Sequence, residues 1–240
     1  MLTKEHPVFP SLDSQRTIWR YMDFTKFVSL LENKKLFFPR ADSFEDPYEG
    51  TLTRATVHWM LNAGIPAGAV DHTVENTNQW RQQVFVSCWC ANDHESAAMW
   101  KLYLQTSEGV AIKSKTGLLA TELDRSPLSV SMTSVNYIDY DLSILPPNNI
   151  FYPFVHKRLS FQHETEIRAL IWSKETANLS QIPENAASVS IDVSLQDLVE
   201  AVYVSPTAPP WFGELVEQIT KRYGLDVLVV KSNLYMRPVY

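Results

Sequence analysis

Apolar residues with strand-like or helix-like spacing follow one another along the chain, and their order predicts a mixed α+β fold. The segment TIWRYM at 17–22 is typical of a strand. DFTKFVSLLEN at 23–33 places its apolar residues on one helical face, behind Asp23 as an N-cap. Further along, strands do not alternate strictly with helices, which disfavours a doubly wound parallel sheet. We therefore expect mixed, mainly antiparallel sheets with flanking helices.

The rest of the chain divides into predicted elements by the same criteria. Strands are predicted at 35–40, 83–90, 109–114, 129–140, 161–172, 188–193, 201–206 and 226–232. Helices are predicted at 51–64, 72–82, 94–105, 116–123, 149–160 and 209–224. No repeat or obvious linker interrupts them, so we expect an irregular lead-in at 1–16 and a single domain over 17–240.

Composition and charge narrow the class of protein. The chain has 240 residues, of which 45% are hydrophobic and 20% charged, with a net charge of −6. The acidic balance argues against a general affinity for duplex nucleic acid, although it leaves room for a local basic site. The first residues lack the apolar core of a secretory signal, and no run approaches the ~18 apolar residues that span a bilayer. We expect a cytoplasmic protein with no membrane partner.

The stretch FQHETEIRALIW at 161–172 carries an unusual charge pattern. Residues i, i+2 and i+4 of a strand share a face, so Glu164, Glu166 and Arg168 are predicted to project together, away from the core. One interpretation is an edge strand with a solvated, charged face. The other is a cleft, in which repulsion between the carboxylates raises the pKa of one of them. The spacing alone leaves both open.

The segment SFEDPYEG at 43–50 concentrates acidic residues between aromatic ones. Glu45, Asp46 and Glu49 suggest oxygen ligands for a hard cation. The alternative is a turn around Pro47 in which the Asp46 side chain caps the backbone. Both interpretations stay open at this point.

Two further groups of residues suggest binding chemistry. His156, Lys157 and Arg158, together with Arg168 and Arg20, predict either a local anion site or a solvated helix face. Cys88, Cys90 and His94 lack the ligand spacing and the second ligand pair of a structural zinc site, so we predict no metal. Glycine-rich phosphate loops are absent from the sequence.

Several stretches resemble a bacterial family, the domain of unknown function DUF2971. They are WRYMDFTKFVSLLENKKLFFPRADSFEDPYEG, FVSCWC, AAMWKLYLQTSEGVAI, VNYIDY and HKRLSFQHETEIRALIW. The most specific pieces are the turn with Asp46 and Glu49, the helix with Trp100 and Tyr103, and the E-x-E-x-R motif. The resemblance covers about 17–235 and implies a bacterial protein. It implies no established activity.

The order of these motifs also resembles the ADP-ribosyltransferase superfamily, which holds NAD in a cleft. That superfamily carries an Arg or His on its first strand, a Ser on a central strand and Glu-x-Glu on a later strand. The resemblance implies that Arg20 and Tyr21 contact NAD and that Ser87 supports the nicotinamide side. It implies that Glu166 stabilises the oxocarbenium-like centre and that Glu164 activates the acceptor.

The chain also differs from that superfamily. Its central strand reads Ser-Cys-Trp, and Arg168 lies on the expected catalytic face, where it could neutralise Glu166. Lys157 and Arg168 are further candidates for contact with NAD. Asp46, Glu49, Trp100 and Tyr103 are site candidates without an assigned role.

Two classes of function follow from these observations. The first is an NAD-using ADP-ribosyltransferase or NAD glycohydrolase in stress, toxin or phage-defence biology, with an unknown protein or nucleic-acid acceptor. The second is a non-catalytic nucleotide or nucleic-acid binding protein, in which basic residues pair with Trp89 and Trp100 as stacking platforms. A metal-dependent nuclease is a variant of the second class, and its ligands would be Asp46, Glu49, Glu164 and Glu166. The oligomeric state is open.

Overall fold

The computed structural model describes residues 8–146, 149–175 and 177–238, which fall into two compact units. The first unit comprises the described parts of Met1–Ser11, Phe37–Cys88 and Ser126–Ser190. The second unit comprises the described parts of Leu12–Leu36, Trp89–Arg125 and Ile191–Tyr240. Each unit is built from segments that are distant in sequence, so the chain passes between them several times.

Strands and short helices alternate irregularly along the chain. The strands are β1 Thr17–Asp23, β2 Lys35–Pro39, β3 Val84–Ala91, β4 Gly109–Lys115, β5 Ser131–Ser134, β6 Asn136–Ile138, β7 His156–Arg158, β8 Glu166–Trp172, β9 Ser188–Asp192, β10 Ala201–Val204 and β11 Leu228–Lys231. The helices are α1 Phe24–Asn33, α2 Arg54–Asn62, α3 Ala67–Trp80, α4 Ala97–Tyr103, α5 Thr116–Asp124, α6 Leu195–Leu198 and α7 Pro210–Arg222. Short 3-10 helices lie at Ala41–Ser43, Tyr152–Phe154 and Leu159–Glu164. Within the described ranges, no helix has the length and apolar character needed to cross a membrane.

The second unit contains the strand order β11-β10-β4-β1, followed by the end of β3. The pairs β10–β4, β4–β1 and β1–β3 are antiparallel, and β10–β11 is parallel. Trp19 pairs with Lys113 on β4 and with Cys90 on β3. Trp19, Met99 and Trp100 are buried together, so α4 packs its apolar side on this part of the sheet.

The first unit contains the beginning of β3, then β8 and β5. β5 and β8 are antiparallel, with Thr133 opposite Arg168. β6 and β7 form a separate parallel pair. Phe9 of the N-terminal segment packs edge-on against Phe151 at 5.0 Å between ring centroids, so part of the expected lead-in contributes to this core.

The α+β class with mainly antiparallel pairing is confirmed, and most predicted elements are present. The helix expected at 149–160 is wrong: the 3-10 helix Tyr152–Phe154 and β7 occupy this segment, and Pro153 in its middle has no backbone N–H to donate in a helix interior. The strand predicted at 161–172 begins only at Glu166, after the 3-10 helix Leu159–Glu164. The division into an irregular lead-in and a single domain stays a prediction.

Gly50 lies where the first unit allows no side chain. Its φ is 74°, and a Cβ atom there would lie 2.6 Å from the Phe154 ring and 2.9 Å from Arg81 Cγ. Gly64 has a similar φ of 80°, but a Cβ there would meet nothing within 4 Å. The two glycines therefore separate the cost of a left-handed backbone from the cost of a steric clash.

We expect Gly50→Ala to destabilise the protein by about 2–4 kcal/mol, because strain of about 1 kcal/mol adds to overpacking of about 1–3 kcal/mol. Gly64→Ala should be destabilised only by the backbone strain of about 1 kcal/mol, because a Cβ atom at this position meets no other atom. Urea unfolding midpoints at constant m-value measure both changes. Equal losses in the two variants would contradict the close packing of Phe154 on Gly50.

Candidate functional site

Five charged side chains are buried together in the first unit. Glu49, Lys157, Glu164, Glu166 and Arg168 are each at most 7% exposed, and we call them the buried charge cluster. Glu49 follows the turn at 46–49, Lys157 lies on β7, and Glu166 and Arg168 lie on β8. Burying an ionised group is tolerated only where a partner compensates for the lost water, so the pairing inside the cluster decides its chemistry.

Lys157, Glu49, Arg168 and Glu166 form a closed ring of alternating charge. Lys157 Nζ lies 3.1 Å from Glu49 Oε1 and 3.2 Å from Glu166 Oε1. Arg168 donates to the second oxygen of each carboxylate, from Nη2 to Glu49 Oε2 at 2.5 Å and from Nε to Glu166 Oε2 at 2.5 Å. Each carboxylate thus bridges the ammonium and the guanidinium, and the four charges cancel.

Glu164 is the fifth member and lies outside the ring. Lys157 donates its third N–H to Glu164 Oε2 at 2.6 Å. Burial, the hydrogen bond with Glu166 and the charge of Glu166 raise the pKa of Glu164 from its ordinary value of 4.5 to about 8. Glu164 is therefore mainly protonated at neutral pH and donates to the Glu166 carboxylate, which leaves the cluster without net charge.

Glu166 has the opposite protonation state. Burial by itself would raise its pKa, but the charge of Arg168, the hydrogen bond from Glu164 and the charge of Lys157 hold the pKa well below its ordinary value. Burial likewise opposes the charged form of Lys157, and Glu166 and Glu49 raise the pKa of its ammonium in spite of it. Two adjacent carboxyl groups therefore carry one proton and one negative charge.

The turn at 46–49 positions Glu49. The Asp46 side chain accepts a hydrogen bond from the Tyr48 amide at 3.1 Å, and Arg158 donates to both Asp46 oxygens at 2.8 and 3.3 Å. The turn interpretation of this acidic segment thus holds for Asp46. Gly50 follows at once and donates its amide to the Pro153 carbonyl at 3.2 Å, which ties the turn to the segment before β7.

A strained residue and a tyrosine position the two adjacent glutamates. Thr165 has a φ of 44°, a left-handed conformation that is rare for a β-branched residue and costs about 1–3 kcal/mol. It separates the 3-10 helix that ends at Glu164 from the strand that begins at Glu166, so the two meet without being strand neighbours. The Glu166 amide donates to the Tyr137 hydroxyl at 2.8 Å.

Aromatic rings and a guanidinium lie next to the cluster on its more exposed side. The Arg158 guanidinium lies 4.3 Å from the Tyr48 ring centroid and 5.3 Å from that of Phe161. Lys157 Nζ lies 4.6 Å from the Phe161 centroid. Tyr48 is 41% exposed, so this stack forms a surface adjoining the buried carboxylates.

Ser87 is not brought to the carboxylates. Val86 of β3 and Leu170 of β8 belong to the same apolar core, and Leu170 shares its face of β8 with Glu166. Ser87 is adjacent to Val86 and therefore points to the other face of β3. Its hydroxyl is buried and has no hydrogen-bond partner among the described residues. Cys88, which packs against the core that contains Val86, has a thiol pKa raised by burial and by the charge of Glu166.

The other predicted residues lie in the second unit. The Arg20 guanidinium is 5.7 Å from the Trp89 ring. The Tyr21 hydroxyl accepts from the Ser96 amide at 2.7 Å, and its ring meets Trp100 edge-on at 4.9 Å. Trp100 is 3% exposed and donates its indole N–H to Glu95, while Tyr103 is 41% exposed. Tyr21 and Trp100 thus fix the start of α4, and the expectation that Trp89 and Trp100 form exposed stacking platforms is wrong.

The carboxylates considered for a divalent ion do not form a metal site. Throughout the part of the chain that the structure describes, no group of three or more His, Cys, Asp and Glu side chains could hold a metal ion. Glu49 and Glu166 direct their oxygens at Lys157 and Arg168 instead. The ligand set of the nuclease variant is therefore already engaged by cations.

Comparison with known proteins adds little to this geometry. No protein-family model and no curated protein matches the chain, so membership of DUF2971 stays a prediction. One solved structure that matches is described as Thermus sp. 2.9 DarT in complex with NAD+. It is 10% identical, with 92% of this chain and 98% of that chain covered and a TM-score of 0.42. A likeness of this degree assigns neither an activity nor a residue role to the present chain.

Two residues of the site were not expected from the sequence, namely Tyr137 and Phe161. Tyr137 lies in the segment VNYIDY, where its spacing gave no reason to single it out. Phe161 precedes the charged motif by three residues, and its contact with Lys157 depends on the 3-10 helix that replaced the expected strand.

Removal of Arg168 tests the ring. We expect Arg168→Met to destabilise the protein by about 3–5 kcal/mol, because it leaves Glu49 and Glu166 buried with one cation fewer. Lys174→Met breaks a surface pair with Glu184 and should cost at most about 1 kcal/mol. Urea unfolding compares the two variants, and similar small losses would contradict the ring.

The proton on Glu164 predicts a dependence of stability on pH. Because the folded state holds this proton up to about pH 8 and the unfolded state only to about pH 4.5, the stabilisation is complete below pH 4.5 and is lost progressively as the pH rises from 4.5 through 8. Glu164→Gln keeps a hydrogen-bond donor that does not titrate. The variant should gain stability relative to the wild type by up to a few kcal/mol between these pH values.

Unfolding free energies of both proteins, measured at intervals from about pH 5 to pH 9, give this difference directly. A difference that stays constant with pH would show that Glu164 carries no proton in the folded state.

Proposed function

We propose that the chain is an NAD-using ADP-ribosyltransferase or NAD glycohydrolase with Glu166 and Glu164 as its reactive carboxyl groups. The feature that carries this proposal is a pair of buried carboxyl groups, Glu164 and Glu166, that share the Lys157 ammonium and whose surroundings move their pKa values in opposite directions. Pairs of acids whose surroundings separate their pKa values are typical of reactive centres. The order of the sequence motifs resembles that of the ADP-ribosyltransferase superfamily, and this resemblance suggests the reaction in which the two carboxyl groups would act.

In this reaction the bond between nicotinamide and C1′ of the ribose breaks, and nicotinamide leaves with the bonding electrons. The positive charge that develops on the ribose would be stabilised by the Glu166 carboxylate, which is already ionised and held in place. Water or an acceptor group then attacks C1′ and loses a proton. Near neutral pH a minor fraction of Glu164 has lost its proton to solvent, because its pKa is about 8, and this ionised carboxylate takes the proton of the attacking group.

The ring imposes a condition on this mechanism. Both oxygens of Glu166 already accept hydrogen bonds, one from Arg168 and one from Lys157. The contact with Lys157 is the longer, at 3.2 Å against 2.5 Å. A substrate that approaches Glu166 would therefore have to weaken the contact between Glu166 and Lys157, while Arg168 keeps the Glu166 carboxylate ionised.

A second function is favoured by the same saturation of the carboxylates. If Lys157 keeps its contact with Glu166, the cluster has only a structural role in stabilising the fold. The adjoining stack of Tyr48, Arg158 and Phe161 could then bind a nucleotide without catalysis. The acceptor and the biological setting in stress, toxin or phage defence remain part of the proposal in either case.

Nicotinamide release from NAD tests the first function. We expect turnover by the wild type and a loss of about 10²–10³-fold in Glu166→Gln, since the variant keeps the shape of the side chain but not its charge. Glu184→Gln alters an exposed surface glutamate and should retain full activity. Circular dichroism establishes that the compared variants are folded.

Absence of turnover by the wild type, with and without a cell extract as a source of acceptor, would overturn the transferase. Thermal stabilisation by NAD without turnover would then support the second function, and Arg158→Met should abolish that stabilisation.

A further inference from the structure

The second unit contains a pocket of about 450 Å³ that shares no residue with the buried charge cluster. Trp19, Lys113 and Tyr203 line it from the strands β1, β4 and β10. The segment 93–95 before α4, the end of β11 and the residues that follow it complete the lining. The volume lies within the range of about 300–1,000 Å³ that is typical of sites for small molecules.

Two aromatic rings give this pocket a rigid apolar part. Trp19 is 2% exposed, and its indole N–H donates to the Asn92 carbonyl at 2.8 Å. Tyr203 is half-buried and meets Trp19 edge-on, with the ring centroids 4.9 Å apart. Because Trp19 is fixed by its hydrogen bond and packs against Tyr203, the accessible part of the Tyr203 ring is a surface that is already ordered for a planar ligand.

Two lysines give the pocket a cationic part. Lys113 is half-buried, and its Nζ lies 5.9 Å from the Trp19 ring centroid. Lys231 is exposed on β11. Over the described residues neither has an ion pair or a hydrogen-bonded acceptor, whereas the neighbouring Lys115 pairs with Glu200 at 3.6 Å. An ammonium group beside an aromatic ring and without an ion-paired carboxylate is suited to receive an anion.

The acidic residues of the pocket limit how much negative charge it accepts. Asp93 and Glu95 contribute to the lining, and Glu95 already accepts the Trp100 indole N–H at 2.8 Å. Their charges offset those of Lys113 and Lys231, so a polyanion would gain little. A single anionic group held at Lys113 is the arrangement that these charges favour.

We propose that this pocket binds a small aromatic or heteroaromatic ring that carries one anionic group. The ring lies against Tyr203, which packs on the buried Trp19, and the anion pairs with Lys113. Lys231 contributes attraction from the exposed rim. Nucleoside monophosphates and aromatic carboxylates share this chemistry, and the binding assay distinguishes between them.

Isothermal titration and ligand-observed NMR test the pocket with five probes. These are AMP, 4-hydroxybenzoate, adenosine, phenol and inorganic phosphate. We expect AMP or 4-hydroxybenzoate to bind at least about tenfold more tightly than its ring alone or phosphate alone, because each half loses one set of contacts. Lys113→Met should weaken the binding by about tenfold or more, and Lys113→Arg should restore it to within a few-fold.

Lys101→Met is the matched control, because Lys101 is exposed in the same unit but lines a different, smaller pocket. Binding that survives in this variant and is lost in Lys113→Met supports the proposal. Equal losses in Lys101→Met and Lys113→Met would place the ligand elsewhere and overturn it. The absence of binding by both ring-bearing anions up to about 1 mM would also overturn it.

Discussion

The ring formed by Lys157, Glu49, Arg168 and Glu166 is the constraint on which the first unit depends. Ionised groups that are almost fully removed from water persist only when each charge has a partner in good geometry. Here each carboxylate bridges both cations, so removal of one member takes one of two counter-ions from each of two others. The proton on Glu164 follows from the same requirement, because a third negative charge would have no compensating cation.

Several local irregularities are explained by this ring. The left-handed Gly50 and the turn fixed by Asp46 bring Glu49 to Arg168. The strained Thr165 ends the 3-10 helix so that Glu164 and Glu166 meet. Strain of this kind persists only where the surrounding contacts determine the conformation, and the ion pairs and hydrogen bonds of the ring supply those contacts.

The sequence predicted the secondary-structure elements better than it predicted which side chains contact one another in the folded protein. The spacing of apolar residues located β1, β3, β4, α1 and α7, because the buried face of each element follows from residues that are close in sequence. It could not show that Glu49 meets Arg168, since the two are 119 positions apart and each motif has a plausible local interpretation. Nor could spacing distinguish a solvated face from a buried one: Glu166 and Arg168 are buried because Glu49 and Lys157, from two other segments, complete the neutral ring.

Arg168 and Lys157 would have different roles in a reaction at this site. Arg168 donates to Glu166, Glu49 and the Phe154 carbonyl, and it is 1% exposed, so its guanidinium lies inside the cluster away from solvent. Its effect on Glu166 is to keep the carboxylate ionised. Lys157 instead divides three donors among three carboxyl groups, and loss of its long contact with Glu166 leaves two bonds intact. Lys157 is therefore the member of the ring whose movement would expose a charged Glu166 without dismantling the ring's other ion pairs.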